Sequence, residues 1–499
     1  MPVTAHLVLP HQLFDTQLDT APGADLILLE HDLLIRQLPF HAHKLVLHRA
    51  SLRRFARRAR SRGRTVHVLD SRGDRSSRSQ LTALLRRLGV ERVTCVDVVD
   101  DWMSRDITAA LVDAGISLRP EDVLESPGFL TDRSSLWDQL GGASPRMADF
   151  YRWQRRRLGV LVGADGSPAG GRWSFDTENR KRLPRGHQPP PVTLVEPEDP
   201  DVVAAIAWVR EEFPDAPGDP ATFCWPTAPD EARALLDQFV EERLRTFGPY
   251  EDAIATAYPF VYHSVLTPAL NVGLLTPDQV LDAVLTEHAR EPVDLPSLEG
   301  FVRQLIGWRE YMRGLYHVRG RALRTADRLG FTRDLPPGWW DGSTGLDPVD
   351  HVIRRVLDTG YAHHIERLMV LGNVLLLQRV RPDAVYAWFA AMFVDAYDWV
   401  MVPNVYAMSQ FAAGDAATTK PYISGSRYIR SMSDIDAGPW TAAWDGLYWS
   451  FVDDHLELFR ANRRTAMIVA QWERMDPDRR RAHGEAAAPW LPAGTGTEA

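Results

Sequence analysis

The sequence predicts two structural domains, an N-terminal α/β domain of the doubly wound type and an all-α C-terminal domain, joined by a long connector. Over residues 1–135, short apolar segments alternate with amphipathic segments of helical period, the pattern of a parallel sheet covered by helices. Residues 136–229 are rich in proline, glycine and charge. Beyond them apolar residues recur at helical spacing, which predicts an all-helical domain over 230–483.

The α/β domain is predicted from four apolar segments that are short enough to be buried parallel strands. The segments are AHLVLP, ADLILLE, TVHVLD and VTCVDVV, at residues 5–10, 24–30, 65–70 and 93–99. Helices are predicted through Arg62, over 79–89 and over 106–115, and the last two end in glycine. No GxGxxG motif follows the first strand, so an ordinary dinucleotide site is not expected in this domain.

Composition indicates a cytoplasmic protein. The 499 residues include no run of 18 or more apolar residues, and the first residues, MPVTAHLVLPHQLF, lack the basic and apolar regions of a signal peptide. Cys95 and Cys224 are the only cysteines, too few for a disulfide framework or for a cluster held by four thiolates. We therefore expect no membrane span and two buried thiols.

The charge distribution does not favour a general nucleic-acid binder, since the net charge is −9, but it is compatible with a local basic groove. The most basic segment, Leu47–Arg64, is predicted to be an amphipathic helix with Leu52, Phe55 and Ala56 facing inward. Its arginines fit a solvated helix face or a DNA site, and the solvated face is favoured. Residues 484–499 are predicted to be a disordered tail.

Three groups of residues in the helical domain have candidate chemistry. The segment Tyr262–Pro268 (YHSVLTP) combines hydroxyls with backbone N–H groups near a helix start, which suits a pyrophosphate. The segment Gly307–Gly314 (GWREYMRG) fits a structural helix as well as a binding site. Arg367 and Asp398 lie in apolar surroundings, where an unpaired charge is costly, so we expect them to pair with each other.

Two adjacent histidines, His363 and His364, precede Arg367. Neighbouring helical positions point about 100° apart, so the two cannot face one pocket equally. His364 and Arg367 are three residues apart and share a helix face, so we expect both to point into one cavity. A histidine there is either structural or a proton donor, because its pKa lies near neutral pH.

Several segments of the chain resemble a known family. The densest resemblance lies in Tyr361–Asn373 (YAHHIERLMVLGN), Val394–Phe411 (VDAYDWVMVPNVYAMSQF) and Thr419–Asp434 (TKPYISGSRYIRSMSD). Together with GWREYMRG at 307–314 and GGRWSFD at 170–176, they resemble the bacterial photolyase and cryptochrome family, in the branch of prokaryotic (6-4) photolyases that usually contains an iron–sulfur cluster. The resemblance implies the photolyase/cryptochrome fold, in which an α/β antenna-type domain precedes a helical domain that binds FAD.

The resemblance also implies roles for individual residues. The pair Arg367–Asp398 would lie across the flavin ring, with Asn404 near its N5 atom. FAD would be held by His263, Ser264, Leu266, Thr267, Gln304, Arg309, Tyr311, Arg367, Asp398 and Asn404. The lesion pocket would include His363, His364, Tyr422 and Tyr428 as catalytic residues, with Trp308 and Met408 in contact with the substrate. Electrons would reach the flavin through Trp340 and Trp388, and Phe389 stands where a tyrosine is common.

The chain departs from this family at two cofactor sites. The cluster ligands would fall at Pro348, Asp436, Pro439 and Ala442, none of which is a thiolate, so a cluster of the family type is not expected. The tryptophans Trp440 and Trp444 are expected to fill the vacated space. The lumazine antenna site retains Glu30, but it has His11 where the family motif has an acidic residue and Leu34 at a second acidic position. Lumazine is therefore not favoured, and the identity of any antenna stays open.

Three functions remain in order of preference. The first is a blue-light-driven DNA photolyase that repairs (6-4) photoproducts in UV-damaged DNA by electron transfer from reduced FAD. The second is a cryptochrome-type photoreceptor that signals to a partner, and the third is a dark flavin enzyme. Retention of the two histidines and two tyrosines of the lesion pocket favours repair, and a monomer is expected.

Overall fold

The computed structural model describes residues 3–142, 145–416 and 418–492. Its N-terminal domain is built on a five-stranded parallel sheet with strand order β3-β2-β1-β4-β5. The strands are β1 (Thr4–Val8), β2 (Asp25–Leu29), β3 (Val66–Leu69), β4 (Arg92–Val96) and β5 (Val123–Leu124). The predicted doubly wound sheet is confirmed. The fifth strand was not predicted, because a two-residue strand has no periodicity to recognise.

Helices cover both faces of this sheet. Those of the N-terminal domain are Thr16–Asp19, Asp32–Ile35, Ala42–Ser61, Ser77–Leu88, Asp101–Asp113 and Arg133–Leu140. The helix Ala42–Ser61 buries Leu52, Phe55 and Ala56 completely, as its pattern predicts. Its arginines are engaged within the protein: Arg54 and Arg57 both contact Asp199, at 3.3 and 2.6 Å. This basic helix face is therefore paired with the connector.

The connector over 136–229 contains regular structure that its composition did not predict. Its helices are Met147–Leu158 and Pro200–Glu212. The first buries Phe150 and Tyr151 and ends at Gly159, whose φ of 67° is the left-handed conformation that glycine adopts easily. The second packs beside the helix Ala42–Ser61, and so the connector wraps the N-terminal domain.

The C-terminal domain is helical, as predicted. Its α-helices are Pro229–Glu242, Leu244–Phe247, Thr267–Val272, Pro277–Arg290, Leu295–Val302, Glu310–Arg324, Asp347–Thr359, Asn373–Leu377, Pro382–Met392, Asp398–Val402, Ser426–Met432, Pro439–Asp454, Leu456–Arg460, Ala466–Glu473 and Pro477–Ala487. Three π-helical segments, Arg303–Arg309, Glu366–Gly372 and Pro403–Ser409, interrupt the α-helical pattern. No helix in the three described ranges is both long and apolar enough to cross a membrane.

The predicted disordered tail is wrong for its first nine residues. The last α-helix continues to Ala487, which is fully buried, and Trp490 donates a hydrogen bond from its Nε1 atom to the Thr344 carbonyl at 3.0 Å. Composition did not show this, because one buried alanine and one tryptophan are enough to anchor a short segment. Residues 493–499 lie outside the described residues.

Candidate active site

A cavity of about 260 Å³, the central cavity, lies inside the helical domain. Its wall includes most of the predicted site residues, namely His263, Ser264, Leu266, Thr267, Gln304, Trp308, Arg309, His364, Arg367, Asn404 and Met408. These residues come from separate stretches of the chain, so the fold brings together side chains that are up to about 145 positions apart, from His263 to Met408. The predicted site residues that do not line it are Tyr311, Trp340, His363, Trp388, Asp398, Tyr422 and Tyr428.

All three π-helical segments border the central cavity. Gln304 and Trp308 lie on Arg303–Arg309, Arg367 lies on Glu366–Gly372, and Asn404 lies on Pro403–Ser409. A π-turn inserts an extra residue into a helix and changes the direction of the side chains that follow, and such turns are frequent at functional sites. The sequence pattern did not predict them.

The predicted pairing of Arg367 with Asp398 is wrong, because Arg367 pairs with Asp395. The guanidinium donates from Nη1 to Asp395 Oδ1 at 2.8 Å and from Nη2 to Asp395 Oδ2 at 3.0 Å, a two-point contact. Thr267 Oγ1 donates to the same carboxylate at 2.6 Å. Asp395 was missed because the segment DAYD offers two acidic residues three positions apart, and only the tertiary structure selects one.

Asp398 lies outside the central cavity, in a buried polar cluster of its own. Its carboxylate accepts hydrogen bonds from the hydroxyls of Tyr316 and Tyr386 and forms an ion pair with Arg324. A neighbouring carboxyl from the N-terminal domain, Asp100, has its pKa raised to about 7 by burial and by the charge of Asp398. The structure therefore assigns Asp398 to the domain interface.

The chain around Tyr262 has a strained backbone beside the cavity wall. Val261 and Val265 have φ of 45° and 58°, a conformation that is costly for a β-branched side chain, and Val265 lines the cavity. Such strain persists only where the surroundings impose it. Arg309 reaches the same wall, where its Nη1 donates to Asn271 Oδ1 at 2.5 Å.

Unpaired buried atoms show that this wall suits a polar ligand. Arg309 Nε and His263 Nε2 are both buried and have no hydrogen-bond partner among the described residues. Burial lowers the pKa of Arg309 to about 10, so the guanidinium stays charged at neutral pH. Around these groups the cavity is mostly apolar and aromatic, with Phe301, Phe389 and Trp399. A cationic and hydroxyl-bearing wall facing aromatic rings fits the phosphates and planar ring of FAD.

The two histidines have different surroundings. His364 is exposed to the central cavity, and its ring lies 6.3 Å from that of Trp308. His363 is fully buried behind the wall, where its ring stacks on His263 at 4.6 Å and its Nε2 lies 3.5 Å from Glu366. His364 and Arg367 line the same cavity, and their catalytic and cofactor roles remain predictions.

Tyr311, Tyr422 and Tyr428 were assigned to the site and lie away from the cavity wall. The Tyr311 hydroxyl donates to the Pro145 carbonyl at 3.0 Å, because Tyr311 faces the connector rather than the cavity. Tyr422 is 39% exposed, and burial raises the pKa of both Tyr422 and Tyr428. The three tyrosines therefore do not line the central cavity, whereas His364 does.

An aromatic chain leads away from the cavity. Phe389 lines it, the Trp388 ring follows at 5.4 Å, and the Trp339 ring follows Trp388 at 5.5 Å. Trp388 and Trp339 are fully buried. The predicted second member, Trp340, is 37% exposed, so the ring in contact with Trp388 belongs to Trp339. The sequence has two adjacent tryptophans here and does not show which one points inward.

Three of the four positions expected for the family's cluster ligands, Asp436, Pro439 and Ala442, are exposed. Pro348 is buried, and Trp440 donates from Nε1 to the Asp436 carbonyl at 3.1 Å. The rings of Trp440 and Trp444, both buried, are 5.7 Å apart. Within the described residues, no three or more His, Cys, Asp or Glu side chains are grouped so that they could hold a metal ion.

The antenna positions are also filled by the protein itself. The His11 ring stacks on Tyr397 at 5.6 Å, and its Nε2 donates to the Val98 carbonyl at 2.9 Å. Burial lowers the pKa of His11 to about 4, so the ring is neutral at pH 7. Glu30 is fully buried and paired with Arg49 at 2.5 Å. The residues present therefore do not fit the acidic contacts of a lumazine.

Comparison with known proteins supports the interpretation of the sequence. A family model for deoxyribodipyrimidine photo-lyase-related protein matches residues 6–225. The chain is 33% identical over 472 residues to the (6-4) photolyase of Agrobacterium fabrum, which covers 90% of this chain and 91% of that one. It is 25% identical over 181 residues to the deoxyribodipyrimidine photo-lyase of Vibrio cholerae, over 34% of this chain and 37% of that one.

Two solved structures share the two-domain fold. A class III photolyase from Agrobacterium tumefaciens aligns with a TM-score of 0.58 and 17% identity, over 98% of this chain and 97% of that chain. A cryptochrome from Synechocystis aligns with a TM-score of 0.56 and 14% identity, over 86% of this chain and 88% of that chain. At these identities the likeness concerns the fold.

Proposed function

The chain belongs to the photolyase-related family, and on this premise we propose that it is a blue-light-driven DNA photolyase that repairs (6-4) photoproducts. One observation supports this most: His364 and Trp308 share the central cavity with Arg367 and Asn404. A proton donor and an aromatic ring for a flipped base thus face the residues predicted to hold the flavin.

FAD would be held by Arg309, Ser264 and His263 on its phosphate side and by Arg367 and Asn404 on its ring side. Reduced FAD excited by blue light would supply one electron to the lesion. Asp395 accepts two hydrogen bonds from Arg367 and one from Thr267, which holds the carboxylate and so keeps the Arg367 guanidinium in place. Asn404 donates its amide hydrogen to the Val400 carbonyl at 2.7 Å, which leaves its Oδ1 as an acceptor toward the cavity.

His364 is the proposed proton donor to the lesion. The pKa of His364 is lowered to about 4, with burial as the main cause and the charge of Arg367 as the second. The ring is therefore neutral before substrate binds. A DNA phosphate near the cavity mouth favours the imidazolium form, because an opposite charge raises the pKa of a histidine. Substrate binding would therefore charge the ring when the proton is needed.

We further propose that the protein works without an iron–sulfur cluster and without lumazine. The lack of a thiolate at the ligand positions, the buried Trp440 and Trp444 near them, and the neutral, stacked His11 at the antenna position support this.

The test is repair of an oligonucleotide containing one (6-4) photoproduct, under blue light and with the flavin reduced beforehand. Restored pyrimidines in light and none in darkness are expected. A protein that binds FAD and photoreduces but repairs no lesion would refute the photolyase and favour the photoreceptor. A protein that binds no FAD would refute both.

A further inference from the structure

A buried carboxylate that belongs to none of the predicted groups also lines the central cavity. Glu251 is 8% exposed and lies at the wall beside Gln304. Its Oε1 accepts a hydrogen bond from Gln304 Nε2 at 2.5 Å, and its Oε2 accepts one from Asn179 Nδ2 at 2.8 Å. Arg303 lies 3.6 Å from the same oxygen. Every neighbour of the carboxylate in this set is a donor.

This arrangement decides which way the Gln304 amide faces. A carboxylate only accepts hydrogen bonds, so the NH₂ group of Gln304 must face Glu251. The amide oxygen is then the group left to interact with a ligand in the cavity. Gln304 lies four residues before Trp308 on the same π-helical segment, and the Trp308 ring is near His364. The acceptor and the aromatic face thus border the part of the cavity that we assign to the flipped base, so Gln304, which the family resemblance gives to FAD, is assigned here to the substrate.

Asn179 of the connector reaches Glu251 by passing close to the backbone of Gly300. A Cβ atom added to Gly300 would lie only 2.7 Å from Asn179 Nδ2, so the helix Leu295–Val302 admits the Asn179 side chain because residue 300 is glycine. Asn179 follows the segment GGRWSFD at 170–176, whose Phe175 is buried. The connector is therefore held beside the cavity by packing as well as by polar contacts.

We infer that Glu251 is a positioning residue: held by Asn179 of the connector, it fixes the Gln304 amide so that the cavity presents an acceptor to the imide N–H of a flipped pyrimidine. The assignment to a pyrimidine rests on the proposed function. Flipped bases are recognised by stacking and by hydrogen bonds to their Watson–Crick edge, and an amide oxygen beside Trp308 supplies both contacts. Glu251 acts through Gln304 and does not itself need to touch the substrate.

The same geometry predicts a dependence on pH. Burial raises the pKa of Glu251 to about 7, against the lowering effects of Arg303 and Asn179, while Asp252 and Asp176 add to the increase. Below this pKa the protonated carboxyl is a donor and can bond to the Gln304 oxygen, which lets the amide reverse. The acceptor is therefore offered to the ligand at higher pH and lost as the pH falls.

A double-mutant cycle tests the inference. Glu251→Gln and Gln304→Leu should each weaken binding of the lesion-bearing oligonucleotide about three- to tenfold, the usual effect of one hydrogen bond. If Glu251 acts through Gln304, the double variant should bind no worse than Gln304→Leu alone. Glu287→Gln is the matched control and should leave binding unchanged, since Glu287 is a glutamate of the same 8% exposure that pairs with Arg245 and Arg290 away from the cavity. Additive losses, or an equal loss in the control, would overturn the inference.

A second measurement does not depend on DNA. The side-chain amide resonance of Gln304, labelled with ¹⁵N and identified by its absence in Gln304→Leu, should shift with a midpoint near pH 7 in the wild type. In Glu251→Gln it should not titrate. A resonance that titrates equally in both proteins would refute the coupling, even if the protein repairs no lesion and the proposed function fails. Failed repair with a Glu251-dependent shift would refute the photolyase and leave the positioning role standing.

Discussion

At the scale of single residues, the choice between Asp395 and Asp398 has the clearest consequence. Asp395 forms the two-point contact with Arg367, whereas Asp398 is bound to Arg324 and two tyrosines. Both carboxylates are buried. Hydropathy along the sequence does not distinguish them, because both belong to aspartates in the same apolar segment. Their different partners predict different effects on the flavin.

Asp395→Asn should lower the FAD content of the purified protein, because it leaves Arg367 without its partner beside the ring. Breaking a buried ion pair typically costs about 3–5 kcal/mol, part of which we expect as lost flavin affinity. Arg367→Ala should act in the same direction. Asp398→Asn is the matched control and should retain normal FAD content per folded chain. Flavin absorbance per milligram measures this, and a greater loss in Asp398→Asn would return the flavin-facing role to Asp398.

His364→Ala should abolish repair of the (6-4) photoproduct, while FAD content and photoreduction stay normal. The reason is that His364 does not belong to the aromatic chain that starts at Phe389 and leads away from the cavity through Trp388. His363→Ala is the control, and it should matter less because His363 is buried behind the wall. Repair that survives in His364→Ala would leave the enzyme class intact and remove His364 as the proton donor.

At the scale of elements, the π-helical segments and the tryptophan chain were the features that periodicity did not predict. Helical periodicity located the helix through Trp308, but an inserted residue turns the following side chains by an amount that no spacing rule gives in advance. The pair Trp339 and Trp340 shows the same difficulty, since only packing shows which ring is buried.

The tryptophan chain can be tested by photoreduction of the oxidised flavin under blue light. Trp388→Phe and Trp339→Phe should both slow the reaction strongly, because their rings are 5.5 Å apart and phenylalanine is much harder to oxidise. Trp340→Phe should have the smaller effect, since Trp340 is not the ring in contact with Trp388. A large effect of Trp340 with none of Trp339 would restore the residue predicted from the sequence.

At the scale of the whole molecule, the N-terminal domain forms hydrogen bonds to the chain segment that contains Asp395. Lys44 is buried and donates from Nζ to the carbonyls of Ala390 and Ala396, at 2.8 and 2.5 Å, on either side of Asp395. His48 is hydrogen-bonded to the Tyr397 hydroxyl at 2.8 Å. The domain that resembles an antenna module thus contributes to the position of the ion pair.

Lys44 should make stability depend on pH. Burial lowers its pKa to about 7, below the ordinary value of 10.5, so the unfolded chain binds more protons between these values. The free energy of unfolding should therefore rise as pH increases from about 7 toward 10. Lys44→Met should flatten this slope and should destabilise the protein by about 1–3 kcal/mol per carbonyl left unpaired. Urea unfolding of both proteins at pH 7 and pH 9 measures the slope; parallel curves would contradict the buried charge.

The purified protein should be yellow from one FAD and contain no stoichiometric iron. The ligand positions Pro348, Asp436, Pro439 and Ala442 have no thiolate, and Trp440 and Trp444 pack beside them. Iron analysis decides this, and about four iron atoms per chain, the content of a cubane cluster, would contradict it.

The amino-acid sequence by itself determined the order of the two domains, four of the five strands, the helical character of the second half, and eleven of the residues at the cavity wall. These features depend on local periodicity and on motifs that are contiguous in the chain. The tertiary structure decided the partner of Arg367, the buried tryptophan, the order in the tail and the hydrogen bonds of Glu251. Each of these depends on contacts between residues that are distant in the chain, and packing settles them because a buried charge or ring must find its complement in three dimensions.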